Sequence, residues 1–200
     1  MTGTHGKTSV SYLIGEVLKS AGYKPFVLSP LNSDNQDPSS SKPSDIERVM
    51  NDHLNQGGTH FIMEVTSEGI DQARLLGIDF NIKLLTNITP NHLDYHKTFE
   101  NYKQTKLNFM RDGKAHKIHP QNFKQESIDF TTKLLGDFNR LNIKAATNVL
   151  RYLKISEEVI QTTLSSYLPA KKGLETVDAG QDSTLLVDDA HTSDGLKIET

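Results

Sequence analysis

The opening eight residues, Met1-Thr2-Gly3-Thr4-His5-Gly6-Lys7-Thr8, constrain the fold more than any other stretch of the chain. They read as a phosphate-binding loop that runs straight into a helix. A phosphate ester needs backbone N–H groups turned inward, glycines that let the backbone come close, a lysine for the β/γ oxygens and a hydroxyl for Mg²⁺. Gly3, Gly6, Lys7 and Thr8 supply those parts. The helix is legible downstream, where Val10, Leu13, Ile14, Val17 and Leu18 share one face and Gly22 supplies a stop. The loop therefore sits at a helix N-terminus, where the dipole favours anions. Two features depart from the G-x-x-x-x-G-K-[ST] pattern: Met1 stands at the first glycine, and the strand that ordinarily leads into such a loop is absent. Gly-Lys-Thr before a helix also arises as plain turn chemistry, but the full stretch TGTHGKT favours nucleotide binding.

Composition narrows the class. Two hundred residues with 35% hydrophobic and 24% charged content suit one globular domain or one and a half, large enough for a packed core. No apolar run approaches a bilayer span and no signal peptide opens the chain, so a cytoplasmic address without membrane attachment is expected. The absence of cysteine removes disulfides, thiolate metal sites and thiol nucleophiles. A net charge of -3 and 7% aromatic content argue against nucleic acid as a partner.

The remaining pattern alternates helix and strand. A short strand is expected over Lys24–Leu28, a polar loop over Ser29–Lys42, and a helix opened by a Ser44-x-x-Glu47 capping box that stops at Gly57-Gly58. A buried strand spans His60–Val65, a short helix Asp71–Leu76, and another strand Phe80–Leu85. A helix over Phe99–Met110 follows, then a featureless surface connection from 111 to 127. Helices from Gly136 to Leu153 and from Ser156 to Leu168 precede two strands, Leu174–Val177 and Thr184–Val187. This order predicts an α/β fold, a P-loop-containing, doubly wound, mostly parallel sheet. Ligands in such sheets lie beyond the C-terminal ends of the strands. Glu64 stands at one such end, and the polar loop Thr86–His96, with His92, Asp94 and His96, follows another.

Several separated stretches together resemble one family, the Mur ligases, and among them those that add the third residue of the peptidoglycan stem peptide. TGTHGKT is similar to the family's ATP loop, MEVTSEGIDQAR to its MEVSSHxLxQxR segment, and TNITPNHLDYHKTFENYKQTK to TNLTxDHLDYHG…YxxAK. GDFNRLNIKAA resembles GxFNxxNxxAA and VDDAHTSDGL resembles VDYAHTPDxL. The matches stand in family order and cover nearly the whole chain.

The resemblance implies a ligase of peptidoglycan precursor synthesis, part of cell-wall biogenesis, cell shape and division. Such an enzyme passes the γ-phosphate of ATP to a carboxylate of UDP-MurNAc-L-Ala-D-Glu, and an amino acid's amine, from diaminopimelate or lysine, attacks the acyl phosphate to form an amide. Carried over by position, Gly3 to Ser9 would hold the triphosphate, Lys7 on the β/γ oxygens and Thr8 on Mg²⁺. Glu64 and His92 match metal ligands, and Lys106 matches the lysine that becomes a carbamate and helps hold a second Mg²⁺. Asn139 and Asn142 match adenine-side residues, Asp188 a ribose-binding aspartate, and Thr66, Gln72 and Arg74 contacts to the UDP-linked muropeptide.

Each of these residues also has a plain structural reading. Glu64 would serve as a solvated strand end, His92 and His96 as loop hydrogen-bonders, Lys106 as a surface lysine, Asn139 and Asn142 as helix caps, and Asp188 as a turn residue. The chain also departs from the family. Asn91 replaces an aspartate, Glu68 the histidine of SSH, and Asp189 a tyrosine, while Lys42 lies near a substrate-binding threonine position. The run Pro169-Ala170-Lys171-Lys172-Gly173-Leu174-Glu175 stands where the family has PGRxE, so a forked arginine is replaced by a lysine or shifted. Residues 1–180 are expected to form a central ATP-binding domain shortened near 111–130, and 181–200 to begin a C-terminal domain. The UDP-holding and amino-acid-binding domains would come from a partner chain. The alternatives are a nucleotide-binding remnant without catalysis and an interaction module that binds no nucleotide.

Overall fold

A computed structural model describes residues 1–30 and 42–168, together with the backbone of 175–177 and 185–187. The first helix, α1 (Lys7–Ser20), begins inside the glycine loop and ends where Gly22 takes a left-handed turn, its N–H bonded to Lys19 O. Two parallel strand pairs follow. β1 (Pro25–Leu28) runs beside β2 (His60–Met63) with Val27 opposite Ile62, and β3 (Ile82–Leu84) runs beside β4 (His116–Ile118) with Leu84 opposite Ile118.

Met1 and Thr2 join the two pairs. Met1 N donates to Met63 O (2.5 Å) and Val65 N to Met1 O (2.7 Å), while Thr2 N donates to Leu84 O (2.8 Å) and Thr86 N to Thr2 O (3.0 Å). Thr2 and Leu85 form a parallel bridge. The order across the sheet is thus β1, β2, Met1–Thr2, β3, β4. The expectation that the leading strand is absent is corrected: two residues hold its place, because the flanking strands leave N–H and C=O groups that only an extended segment between them can pair.

Helices cover both faces, as a doubly wound sheet requires. On one face Val10, Leu13, Val17 and Leu18 of α1 pack with Ile143, Ala146 and Leu150 of α7 (Asp137–Tyr152) and Ile160 and Leu164 of α8 (Glu157–Ser166), over Leu84 and Ile118. On the other, Ile46 of α2 (Pro43–Asn55) and Phe109 and Met110 of α5 (Phe99–Arg111) lie on Leu28, Met63, Val65 and Leu85. Each such side chain contributes roughly 1.5–3 kcal/mol by leaving water. Lys83, buried mid-strand, donates from Nζ to Phe109 O (2.8 Å) and Asp112 O (3.0 Å), so it ties down the carbonyl end of α5.

Several local expectations change. Ser44 does not cap α2; the helix starts earlier, with Lys42 as its extended N-cap and Pro43 in the first turn, where a fixed φ suits a helix start. The helix expected over Asp71–Leu76 is α3 (Ser67–Asp71), because Thr66 Oγ1 accepts from Gly69 N and nucleates it upstream. The connection at 111–127 contains β4 and the short α6 (Pro120–Phe123), whose only deeply buried side chains are Ile118 and Phe123. The last four residues of the stretch expected as a polar loop, Thr86–His96, form a further short helix, α4 (Leu93–His96). The last two strands, β5 (Glu175–Val177) and β6 (Leu185–Val187), pair antiparallel. The Pro169–Gly173 run, the 180/181 domain boundary, Asp188, Asp189 and most of the Ser29–Lys42 loop lie outside the described residues. Among the described residues no helix is long and apolar enough to cross a membrane.

Candidate functional site

The glycine loop is fastened to the segment after β3. Thr4 N donates to Asn87 O (3.0 Å), His5 N to Asn87 Oδ1 (2.9 Å), and both Thr86 Oγ1 (2.7 Å) and Asn87 Nδ2 (3.1 Å) donate to His5 O. Thr4 Oγ1 accepts from Thr89 N (2.9 Å) and lies 2.9 Å from the buried Tyr102 hydroxyl. The approach is so close at two points that only glycine fits. A Cβ on Gly3 would fall 1.9 Å from Thr86 Oγ1, and one on Gly6 would fall 2.3 Å from Asn142 Oδ1, with φ positive at both. Sequence reasoning did not find Thr2, Thr86, Asn87 and Thr89 as partners of the loop; a run of Thr and Asn directly after a buried strand is the signal that could have found them.

Lys7 and Thr8 emerge from this loop in different directions. Lys7 Nζ donates to Gly3 O (3.1 Å) and Thr4 O (3.0 Å), which keeps the ammonium over the loop. Thr8 Oγ1 donates to Glu64 Oε2 (3.0 Å), and Glu64 is only 3% exposed although it sits at a strand end. The sequence-predicted Thr8 and Glu64, 56 positions apart, are thus brought together as a hydroxyl and a carboxylate beside the loop. This oxygen pair is of the kind that suits a hard divalent cation.

Lys106 is 1% exposed, not a surface lysine. Its Nζ donates to Thr2 Oγ1 (3.2 Å), which itself donates to Val65 O, and lies 5.0 Å from the centroid of the Tyr102 ring. Burial pushes its amine down to about 7, with the charge of Lys7 acting in the same direction and that of Glu68 against it. A buried amine of this kind is substantially neutral near neutral pH and therefore nucleophilic.

His92 forms a second cluster with Glu68, Nδ1 to Oε1 2.7 Å, and its ring stacks on Tyr102 with centroids 6.1 Å apart. The hydrogen bond from His92 holds the Glu68 carboxyl down at about 2. His96 is buried against the other side of Tyr102. Among the described residues no three His, Asp or Glu side chains converge as a ready-made metal site; Glu64 pairs with Thr8, and His92 with Glu68.

Asn142 lies against Gly6, and its Nδ2 donates to Asn139 Oδ1 (3.4 Å), so both asparagines stand at the start of α7 beside the loop. Asn139 also donates to Leu135 O (2.7 Å). Ser9 is exposed on α1. Thr66 serves as the N-cap of α3, while Gln72 and Arg74 belong to an exposed chain in which Arg74 donates to Gln72, Gln72 to Tyr95 Oη (3.1 Å), and Tyr95 to Asp71 Oδ2 (2.9 Å).

Comparison with known proteins shows the family and the fold. The family model described as "Mur ligase middle domain" matches residues 1–119, more than half of the chain. The UDP-N-acetylmuramoyl-L-alanyl-D-glutamate–2,6-diaminopimelate ligase of Bacillus cereus is 26% identical over 254 positions, covering 98% of this chain and 52% of the relative. A solved structure of a ligase of the same name superposes with a TM-score of 0.77 at 22% identity, covering 98% of this chain and 51% of that one. The Escherichia coli FolC structure in complex with DHPP and ADP has a TM-score of 0.68 at 19% identity, covering 97% and 62%. The chain spans about half the length of the curated relatives it matches.

Proposed function

The chain belongs to the Mur ligase family, and from that premise we propose that its glycine loop binds Mg²⁺-ATP for an acid–amino acid ligase of peptidoglycan precursor synthesis. The observation that carries the reading is the pairing of Thr8 with the buried Glu64 beside a loop whose lysine lies over the phosphate cradle. Lys7 is assigned to the β/γ oxygens, and Asn142, which lies against Gly6, with its partner Asn139, to the adenine end. Mg²⁺, when bound, would neutralise charge on the transferring phosphoryl group, held through Thr8 and Glu64, with His92 and a carbamate on Lys106 assigned to a second ion.

Lys106 has the properties that carbamate formation requires. Its neutral amine adds CO₂, a C–N bond forms, one proton leaves to solvent, and the neutral side chain becomes an anion. Desolvation, by disfavouring the ammonium, supplies the neutral amine that the addition needs. The acceptor carboxylate is assigned to UDP-MurNAc-L-Ala-D-Glu, and the attacking amine to diaminopimelate or lysine, on the strength of the relatives' names. Thr66, the N-cap of α3, and the exposed pair Gln72 and Arg74 are assigned to the muropeptide, and Asp188 to the ribose. The domains that would complete the substrate sites are assigned to sequence beyond this chain's match, whether on the same polypeptide or a partner.

The test is calorimetric titration of the chain with a non-hydrolysable ATP analogue and Mg²⁺, beside Lys7→Ala. The expected result is saturable binding that Lys7→Ala loses. A folded chain that binds neither analogue nor Mg²⁺ would overturn the nucleotide reading.

A further inference from the structure

Glu68 is the residue at which this chain departs most consequentially from the family segment it matches, since a carboxylate stands where that segment carries histidine. Its two oxygens have separate partners. Oε2 accepts from the hydroxyl of the buried Ser67 (3.0 Å), and Oε1 lies 2.7 Å from Nδ1 of His92, a hydrogen-bond distance at the short end for nitrogen and oxygen. The His92 backbone is also fixed. It adopts φ 52°, ψ 35°, its N–H donates to Asn91 Oδ1 (2.8 Å), and its carbonyl accepts from Tyr95 N (3.2 Å) and His96 N (2.9 Å). Against that fixed backbone the ring stacks on Tyr102, whose hydroxyl is tied to Thr4 of the glycine loop. Of the two ring nitrogens, Nδ1 is the one that faces a carboxylate.

We propose that Glu68 is a positioning residue that holds His92 as the Nδ1–H tautomer and leaves the lone pair on Nε2 for a divalent cation. The inference rests on the assignment of His92 as a metal ligand made above. A neutral imidazole offers one lone pair, and a carboxylate on the opposite nitrogen both selects that tautomer and raises the basicity of the free nitrogen. The family's histidine at this position would offer the same nitrogen either a donor or an acceptor. Glutamate offers only an acceptor, so in this chain the tautomer of His92 is set by the side chain at position 68.

Long-range ¹H–¹⁵N correlation spectra of the imidazole tests this at about pH 8, above the imidazole titration range, with His92 assigned by its loss in His92→Gln. The expected spectrum shows His92 as Nδ1–H in the parent and as the Nε2–H form in Glu68→Ala. Titration with Mn²⁺ should broaden the His92 ring signals, and Glu68→Ala should weaken Mn²⁺ binding roughly 10- to 100-fold. A parent in the Nε2–H form, or a tautomer unchanged in Glu68→Ala, with Mn²⁺ broadening intact, overturns the role of Glu68 alone. His92 signals that stay sharp at saturating Mn²⁺, with the tautomer still set by Glu68, overturn the metal assignment on which the role depends.

Discussion

The floor and the rim of the site are built from similar polar side chains and differ in their water. On the floor, Thr2, Thr4, Tyr102 and Lys106 are buried and bonded to one another or to backbone, and the buried Glu64 accepts from Thr8, so each group that loses its partner has no solvent to replace it. On the rim, Asp71, Gln72, Arg74 and Tyr95 form an equally continuous hydrogen-bonded chain in contact with water. Chemically alike substitutions should therefore have very different effects in the two places. The floor is held by bonds shielded from water, and the rim by bonds that water can replace.

The largest effect is expected at Lys106. Its amine sits at about 7 in the folded chain and near 10.5 once unfolded, so between those values the unfolded state binds more protons and stability rises with pH. Below pH 7 both states are charged and the desolvation cost is fully present. Lys106→Met removes that cost while Thr2 keeps its bond to Val65 O. In bicarbonate-free buffer the variant should exceed the parent's stability by the widest margin below about pH 7. The margin should shrink by up to about 5 kcal/mol as pH rises towards 10.5. Denaturant unfolding of both chains across that window measures it, and a pH-independent difference would mean that the amine is solvated.

Gly3→Ala comes next. The added Cβ must displace Thr86 Oγ1, 1.9 Å away, at a backbone φ of 151°. Strain and displacement together should cost roughly 3–5 kcal/mol and abolish nucleotide binding, because Thr86 is one of the groups that hold the loop to the sheet. Retention of both stability and binding would show that the loop is not clamped to residues 86–89.

The contrast between floor and rim also explains what the sequence made legible. α1, α5 and α7 were readable from their spacing, since Val10, Leu13, Val17 and Leu18, or Ile143, Ala146 and Leu150, repeat at helical intervals along a buried face. β4 was not, because His116-Lys117-Ile118 offers a single buried apolar residue and its place is decided by pairing with β3. α3 began upstream of its expected start because a cap hydroxyl, not apolar spacing, nucleates it. At the site, the loop's residue types were evident, but Lys106 resembles any helical lysine until Thr2 is placed beside it. The pairing of Thr8 with Glu64 depends likewise on strands that meet only in the folded sheet.

The smallest effect is expected on the rim, and it sharpens the comparison. Tyr95→Phe deletes the hydroxyl that donates to Asp71 Oδ2 and accepts from Gln72 Nε2, so it removes two hydrogen bonds from the exposed chain at once. On the floor, a loss of this kind would strand buried donors and acceptors. Here water takes over both partners, and the change in unfolding free energy should be within about 0.5 kcal/mol. The ring itself, edge-on to His96 with centroids 4.8 Å apart, is retained, so packing around α4 is unchanged. A cost well above 1 kcal/mol in denaturant unfolding would show that the rim is as tightly coupled as the floor. A near-neutral result would show that the bond from Gln72 to Tyr95 Oη is one the fold can lose without cost.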